Sequence, residues 1–218
     1  SGCYTLTLAT SFRMLFGHPP HALKPGMNVL VWGASGGIGS MAVQICKAVG
    51  ANAIGIISDD EKIPFVKELG AVGVLNRKNY NCFGQLPDVK DQSEYSNFIK
   101  SCRVLGKDIW EITGKKDVDI VFEHPGESTF PVSCYLVKTG GMVVICAGTS
   151  GYNLTMDARY VWMRQKRIQG SHFANLFQAK QANDMMINKL IKPLMSECFK
   201  WSEIPVAHTK MMNNKHLP

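Results

Sequence analysis

A chain of 218 residues with 45% hydrophobic and 19% charged residues reads as an ordinary soluble globular protein, one large domain or one and a half smaller ones. The formal net charge of +7 points to an anionic partner, and since no Lys/Arg run is interleaved with aromatics, a nucleotide or coenzyme A is expected rather than nucleic acid. No apolar stretch reaches transmembrane length, no signal peptide is present, and the seven cysteines include no CxxC pair, so no membrane anchor, zinc site or disulfide framework is indicated. Reduced, buried thiols and a cytoplasmic setting are the expectation.

In chain order, residues 1–16 read as a helix that continues from missing sequence, because the first residue is Ser and the opening resembles the middle of a domain. The chain is therefore expected to be a fragment. Pro19, Pro20, Pro25 and Gly26 break it before a four-residue apolar run at 29–32, which reads as a strand buried on both faces. Gly33-x-x-Gly36-x-x-Gly39 follows, and Ile38, Met41, Ala42, Ile45 and Val49 then recur at helical spacing. Strand, glycine turn and helix start together make a pyrophosphate cradle, with Ser35, Gly36, Gly37 and Ile38 as cofactor contacts. A glycine-rich turn that merely closes a βα unit is the blander alternative.

Further strands are predicted at 52–57, 72–75, 118–122, 140–147 and 167–170. Helices are predicted at 61–69, 95–112, 157–165 and 176–191, with a short one after strand four. Residues 78–97 are polar and irregular and read as a surface insertion. Strands alternating with helices predict an α/β fold with a doubly wound parallel sheet.

Cofactor choice should be set at the end of the second strand, where NAD-binding units carry an acid for the ribose 2′-hydroxyl. Here the position falls at Ser58, with Lys62 a helical turn on and Arg77 after strand three. A small hydroxyl and two cations suit a 2′-phosphate, so NADPH is expected; Asp59 and Asp60 argue the other way, and Lys62 and Arg77 can also be solvated surface charges. Ligands of open parallel sheets bind beyond the carboxyl ends of the strands. Those ends carry His124, the run from Ala147 to Ser150, and Gly170-Ser171-His172-Phe173-Ala174-Asn175. His172, flanked by Ser and Asn just after a strand, is the candidate for positioning an oxygen-bearing substrate, and His124 for the cofactor-facing wall. No Ser-His-Asp set, paired carboxylates or metal-spaced cluster stands out, which leaves the chemistry to the cofactor.

Residues 4–17, the Trp32-Gly-Ala-Ser-Gly-Gly-Ile-Gly-Ser40 turn, Phe122-Glu-His-Pro-Gly126, Arg159-Tyr-Val-Trp-Met163 and Gly170-Ser-His-Phe-Ala-Asn175 closely resemble the crotonyl-CoA carboxylase/reductases. These form a zinc-free branch of the medium-chain dehydrogenase/reductases, and the resemblance covers essentially the whole chain. It implies NADPH-dependent reductive carboxylation of an enoyl-CoA, with hydride delivered to the β-carbon and CO2 captured by the α-carbon enolate. It further implies that His172 sits at the CO2 site and that Thr10, Ala147 and Ser171 join the cofactor contacts. Arg159 and Asn175 become candidates for the acyl-CoA substrate, and Arg159 alternatively for a subunit interface of a homo-oligomer, dimer or tetramer. The implied domains are 1–24 (end of a GroES-like substrate domain and linking helix), 25–190 (dinucleotide binding) and 191–218 (a truncated return segment). The rivals are an enoyl-CoA or quinone reductase that only protonates, and a non-catalytic nucleic-acid binder.

Overall fold

A computed structural model describes residues 4–195 and 197–213. Six strands form one sheet in the order β3-β2-β1-β4-β5-β6, parallel throughout. They are β1 (Asn28–Trp32), β2 (Asn52–Ile57), β3 (Gly73–Asn76), β4 (Val118–Glu123), β5 (Val137–Ile145) and β6 (Arg167–Gly170). This order is that of a doubly wound dinucleotide-binding sheet, and it reverses between β1 and β4, where such sheets open a crevice.

Among the described residues eight α-helices accompany the strands: α1 (Thr5–Phe16), α2 (Gly37–Val49), α3 (Ile63–Glu68), α4 (Gln92–Thr113), α5 (Phe130–Leu136), α6 (Arg159–Trp162), α7 (Leu176–Ile187) and α8 (Ile204–Met212). Side chains of a strand alternate between faces, so β1 feeds two cores. Val29 and Val31 pack into the layer made with α1, α2 and α7, while Leu30 and Trp32 pack into the layer made with α4 and α5. On α4 the buried residues Phe98, Cys102, Leu105 and Ile109 fall at intervals of three and four, one face of a helix. Truncating Leu105, fully buried there, would cost about 2–5 kcal/mol. Asp91 starts α4 by accepting from the amides of Ser93 and Glu94, and Gly114, with φ of 67°, ends it in the left-handed region that glycine tolerates.

The predicted spans of β2 and β6 match the structure. Four expectations need correction. Residues 78–97 are not a surface insertion throughout: Tyr80 and Cys82 are buried against α4, and α4 begins at Gln92 rather than 95. Strand β5 starts three residues earlier than read, because Val137 pairs with Val118 before the register shifts and Met142 pairs with Ile120. The helix read at 61–69 is a 3-10 turn, Asp60–Lys62, followed by α3, whose first turn carries Pro64. The segments read at 157–165 and 176–191 shorten to α6 and α7, and α8 had no counterpart in the reading. The described cysteines are all free, and four of them (Cys46, Cys82, Cys102 and Cys134) are buried. No helix among the described residues is long and apolar enough to cross a membrane.

Candidate functional site

The sheet reverses at a cleft of about 420 Å³ at the carboxyl ends of β1, β2 and β4. Its lining brings together Ser35, Ser58, Arg77 and His124 from the predicted set, with Trp32, Pro125, Thr149 and Ser150 beside them. Thr149 and Ser150 belong to the loop after β5, the strand end that had been singled out through Ala147.

The glycine turn has the form a phosphate cradle needs. Gly33 sits at φ +56°, and a Cβ there would lie 2.6 Å from Nε2 of His124. A Cβ on Gly39 would collide with the carbonyl of Gly33, so the turn closes onto the helix only with glycine at that position. Gly36 is the N-cap of α2 and no side chain caps the helix; its first turn carries no acid. The amides at this end are thus left for an outside anion, which the helix dipole also favours. Helix α1 buttresses the turn: Thr7 lies against Gly37, and Ser11 donates to the carbonyl of Ile38 at 2.8 Å. Ser11 was missed in the sequence, where nothing in its local pattern marks a contact 27 residues away. Thr10, a neighbour on that helix, is buried.

At the 2′-position, the two acids that opposed NADPH are engaged by the chain itself. Asp60 accepts from Nδ2 of Asn76 at 2.9 Å, tying the end of β3 to the turn after β2, and Asp59 caps that turn. The Arg77 guanidinium lies 4.7 Å from the centre of the Phe83 ring, which in turn packs edge-on to Trp32. Arg77 thus brings a cation to the cleft with an aromatic face against it. Lys62 is on the 3-10 turn and does not line the cleft.

His124 is half-buried and its ring contacts the Trp32 carbonyl at 3.0 Å through Nε2. Since a carbonyl only accepts, Nε2 carries the proton and Nδ1 is the acceptor. Burial holds this imidazole below the usual histidine pKa, in the neutral form.

The remaining candidates lie elsewhere. His172 is exposed just beyond β6, and Ser171 beside it is buried with its hydroxyl unpartnered. Asn175 caps α7: its Oδ1 accepts from the amide of Gln178 at 2.8 Å and its own amide donates back to the Gln178 side chain. Its Oδ1 is thereby engaged within the chain. Arg159 does not line the cleft either; it makes a bidentate pair with Asp157 and lies over the Tyr95 ring at 5.7 Å. The pair holds the Asp157 carboxyl low, at about 2.

Comparison with known proteins gives the family of the chain. The family model for zinc-binding dehydrogenases matches residues 37–188. The chain belongs to the zinc-binding dehydrogenase family. Within it, a crotonyl-CoA carboxylase/reductase of Cereibacter sphaeroides is 64% identical over 219 residues, covering 100% of the chain and 51% of that protein. The solved crotonyl-CoA carboxylase/reductase AntE in complex with NADP superposes with a TM-score of 0.96 at 40% identity, over 99% of the chain and 53% of its own. The 2-octenoyl-CoA carboxylase reductase CinF, solved with NADP and 2-octenoyl-CoA, gives 0.84 at 34% identity, over 98% and 46%. The chain thus spans about half the length of these relatives. Despite the family's name, no three His, Cys, Asp or Glu side chains among the described residues gather as a metal site would require.

Proposed function

We propose that this chain is the nucleotide-binding portion of an NADPH-dependent enzyme that reductively carboxylates an enoyl-CoA, turning crotonyl-CoA and CO2 into ethylmalonyl-CoA. The observation that carries this reading is the 64% identity over the whole chain to the Cereibacter sphaeroides crotonyl-CoA carboxylase/reductase. The uncapped α2 N-terminus and the stacked Arg77 support the choice of NADPH. When bound, NADPH supplies the hydride that reduces the β-carbon of the thioester.

The chain's own residues have distinct tasks in this scheme. The turn from Ser35 to Ile38 holds the pyrophosphate, while Ser58 and Arg77 hold the 2′-phosphate through charge-assisted hydrogen bonds. His124 forms the wall beside the glycine turn, and Thr10, Ala147 and Ser171 complete the enclosure. The reduced substrate has a nucleophilic α-carbon for which CO2 and a proton compete, so excluding water and orienting CO2 decide the product. His172 is the CO2-orienting residue, and Arg159 faces the acyl-CoA or a neighbouring subunit. Residues 25–190 form the dinucleotide-binding unit, and the enzyme is a cytoplasmic homo-oligomer.

The test uses the full-length enzyme with crotonyl-CoA, NADPH and isotopically labelled bicarbonate, with products resolved by mass. Labelled ethylmalonyl-CoA is expected. Butyryl-CoA alone at saturating bicarbonate would instead support a second reading, a simple enoyl-CoA reductase, which a 40% identical protein of Streptomyces collinus named crotonyl-CoA reductase favours. In His172→Asn the ratio of carboxylated to protonated product should fall about fivefold, the effect of one lost hydrogen bond. A constant ratio with both products reduced would make His172 scaffolding.

A further inference from the structure

One buried acid lies immediately behind the cleft and has no task in the scheme above. Glu123, the last residue of β4, is fully buried. Among the described residues no cation pairs with it. Three donors from one short segment do: the amide of Gly126 at 3.0 Å and the hydroxyl of Thr129 at 2.8 Å, both on Oε1, and the hydroxyl of Ser133 at 2.5 Å on Oε2. Thr129 and Ser133 are themselves fully buried. An ionised carboxyl is unfavourable in such a place unless every lone pair it presents is used, and a residue needed only for packing would be apolar.

The direction of each bond in this chain is fixed. The indole N–H of Trp32 only donates, and it donates to Ser133 Oγ at 2.8 Å. Ser133 accepts there and sends its own hydrogen to Oε2 of Glu123. The plane of the Trp32 ring is thereby set from β4 and α5. Trp32 is the residue before Gly33, and its carbonyl accepts from Nε2 of His124, the residue after Glu123. The contacts therefore close a loop: Glu123 carboxylate, Ser133, Trp32 side chain, Trp32 backbone, His124 ring, and back to Glu123 through one peptide bond. Both outward faces of that loop, His124 and the Trp32-Gly33 segment, line the cleft. The ring stands close over the turn: a Cβ on Gly33 would lie 2.6 Å from its Nε2.

We propose that Glu123 is a positioning residue for the cofactor: through Ser133 and Trp32 it holds the His124 imidazole against the glycine turn in the orientation that NADPH meets. This rests on the cleft being the NADPH site. Glu123 touches no ligand in this role; it acts by removing the alternative rotamers of His124 and Trp32, so that the wall is already in place before the cofactor arrives.

A double-mutant cycle on the full-length enzyme tests it. Ser133→Ala removes the link between Glu123 and Trp32 while leaving the bonds of Glu123 to Gly126 and Thr129. It should raise the NADPH dissociation constant about fivefold, as for one lost hydrogen bond, and leave KM for the enoyl-CoA within about twofold. His124→Ala should weaken NADPH by a similar or larger factor, and the double variant should be no weaker than His124→Ala alone, because the serine acts through the histidine. Ser133→Thr, which restores the hydroxyl, should recover wild-type affinity. Should Ser133→Ala fail to fold, Glu123→Gln supplies the same cycle: it keeps an acceptor for Gly126 and Thr129 but presents an N–H to Ser133, reversing that bond at constant volume. Multiplicative losses in the double variant would overturn the proposal, as would a lowered melting temperature with unchanged NADPH affinity. Failure of the wild-type enzyme to bind NADPH at all would instead overturn the cofactor reading beneath it.

Discussion

The two ends of the sheet each carry a cavity, and they differ in what the helices turn toward them. At the carboxyl ends lies the cleft of about 420 Å³, facing a glycine turn and the uncapped start of α2. Near the amino ends of β4 and β5 lies a larger one, about 510 Å³, lined by Arg103, Lys107, Lys138, Arg164 and Lys166 with Trp110 and Tyr160. The second is bigger and more cationic. Several of its cations, however, are already engaged by the chain. Lys166 donates to the carbonyls of Cys134 and Tyr135 at the end of α5, at 2.7 and 2.9 Å, and Lys138 pairs with Asp119. Helix carbonyls point one way and helix amides the other, so in a parallel sheet the free backbone donors gather at the carboxyl edge. The cleft is distinguished by unspent backbone donors rather than by volume or net charge.

The sharpest way to break this contrast is to close the turn. Gly39→Ala forces the Gly33 carbonyl to move and should lower NADPH affinity by about a hundredfold or more, equivalent to ~3 kcal/mol, in a titration of the full-length enzyme. Unchanged affinity would mean the backbone donors of α2 do not hold the cofactor.

A second effect of comparable size concerns the acid behind the cleft. Burial raises the Glu123 carboxyl from 4.5 to about 7, against the pull of its hydrogen-bond donors. A raised acid binds more protons in the folded than in the unfolded chain between those values, so its contribution to stability is complete below about 4.5 and is lost as pH rises through about 7. The span corresponds to about 3 kcal/mol. The groups facing it are the neutral His124 and the thiols of Cys134 and Cys146, pushed up to about 12 and 11 by burial, so no neighbour titrates alongside it except the histidine. His18 and His124, both lowered, act in the opposite sense and destabilise the fold as pH falls through 6.5. The difference between wild type and Glu123→Gln in denaturant melts at several pH values isolates the acid. Wild type should lose stability relative to the variant as pH rises from 5 to 8, and parallel profiles would contradict this.

Smaller still is the effect away from the cleft. Asn175→Ala removes the capping box of α7 and should cost about 1 kcal/mol of stability with NADPH affinity unchanged. A raised KM for the enoyl-CoA at unchanged stability would return Asn175 to the acyl-CoA substrate.

The parts of this molecule legible in the sequence are those governed by local pattern. The spans of β2 and β6 and the glycine turn were readable because strand burial and turn chemistry are written in adjacent residues. The 80–83 segment was not, because Tyr80, Cys82 and Phe83 sit in a polar stretch, interrupted by Asn81 and followed by Gly84, and their burial depends on α4 and Trp32 arriving from elsewhere. The same limit hid Ser11, Thr129 and Ser133, whose partners are set by the fold. For Arg159 the charge was visible in the sequence, but its pairing with Asp157 was not, since that depends on how the chain folds. Asp59 and Asp60 show the converse, acids that looked like an argument against NADPH until Asn76 and the backbone were seen to occupy them.

The most direct test of the account is the ratio of NADH to NADPH dissociation constants in wild type and Arg77→Ala. Arg77, stacked on Phe83 at the cleft, should make wild type bind NADPH at least tenfold more tightly, since a charge-assisted bond is worth about 1.5–3 kcal/mol. Removing it should bring the ratio close to one by weakening NADPH alone. Equal affinities in wild type, or a ratio that survives the substitution, would contradict the assignment of this cleft to the 2′-phosphorylated cofactor.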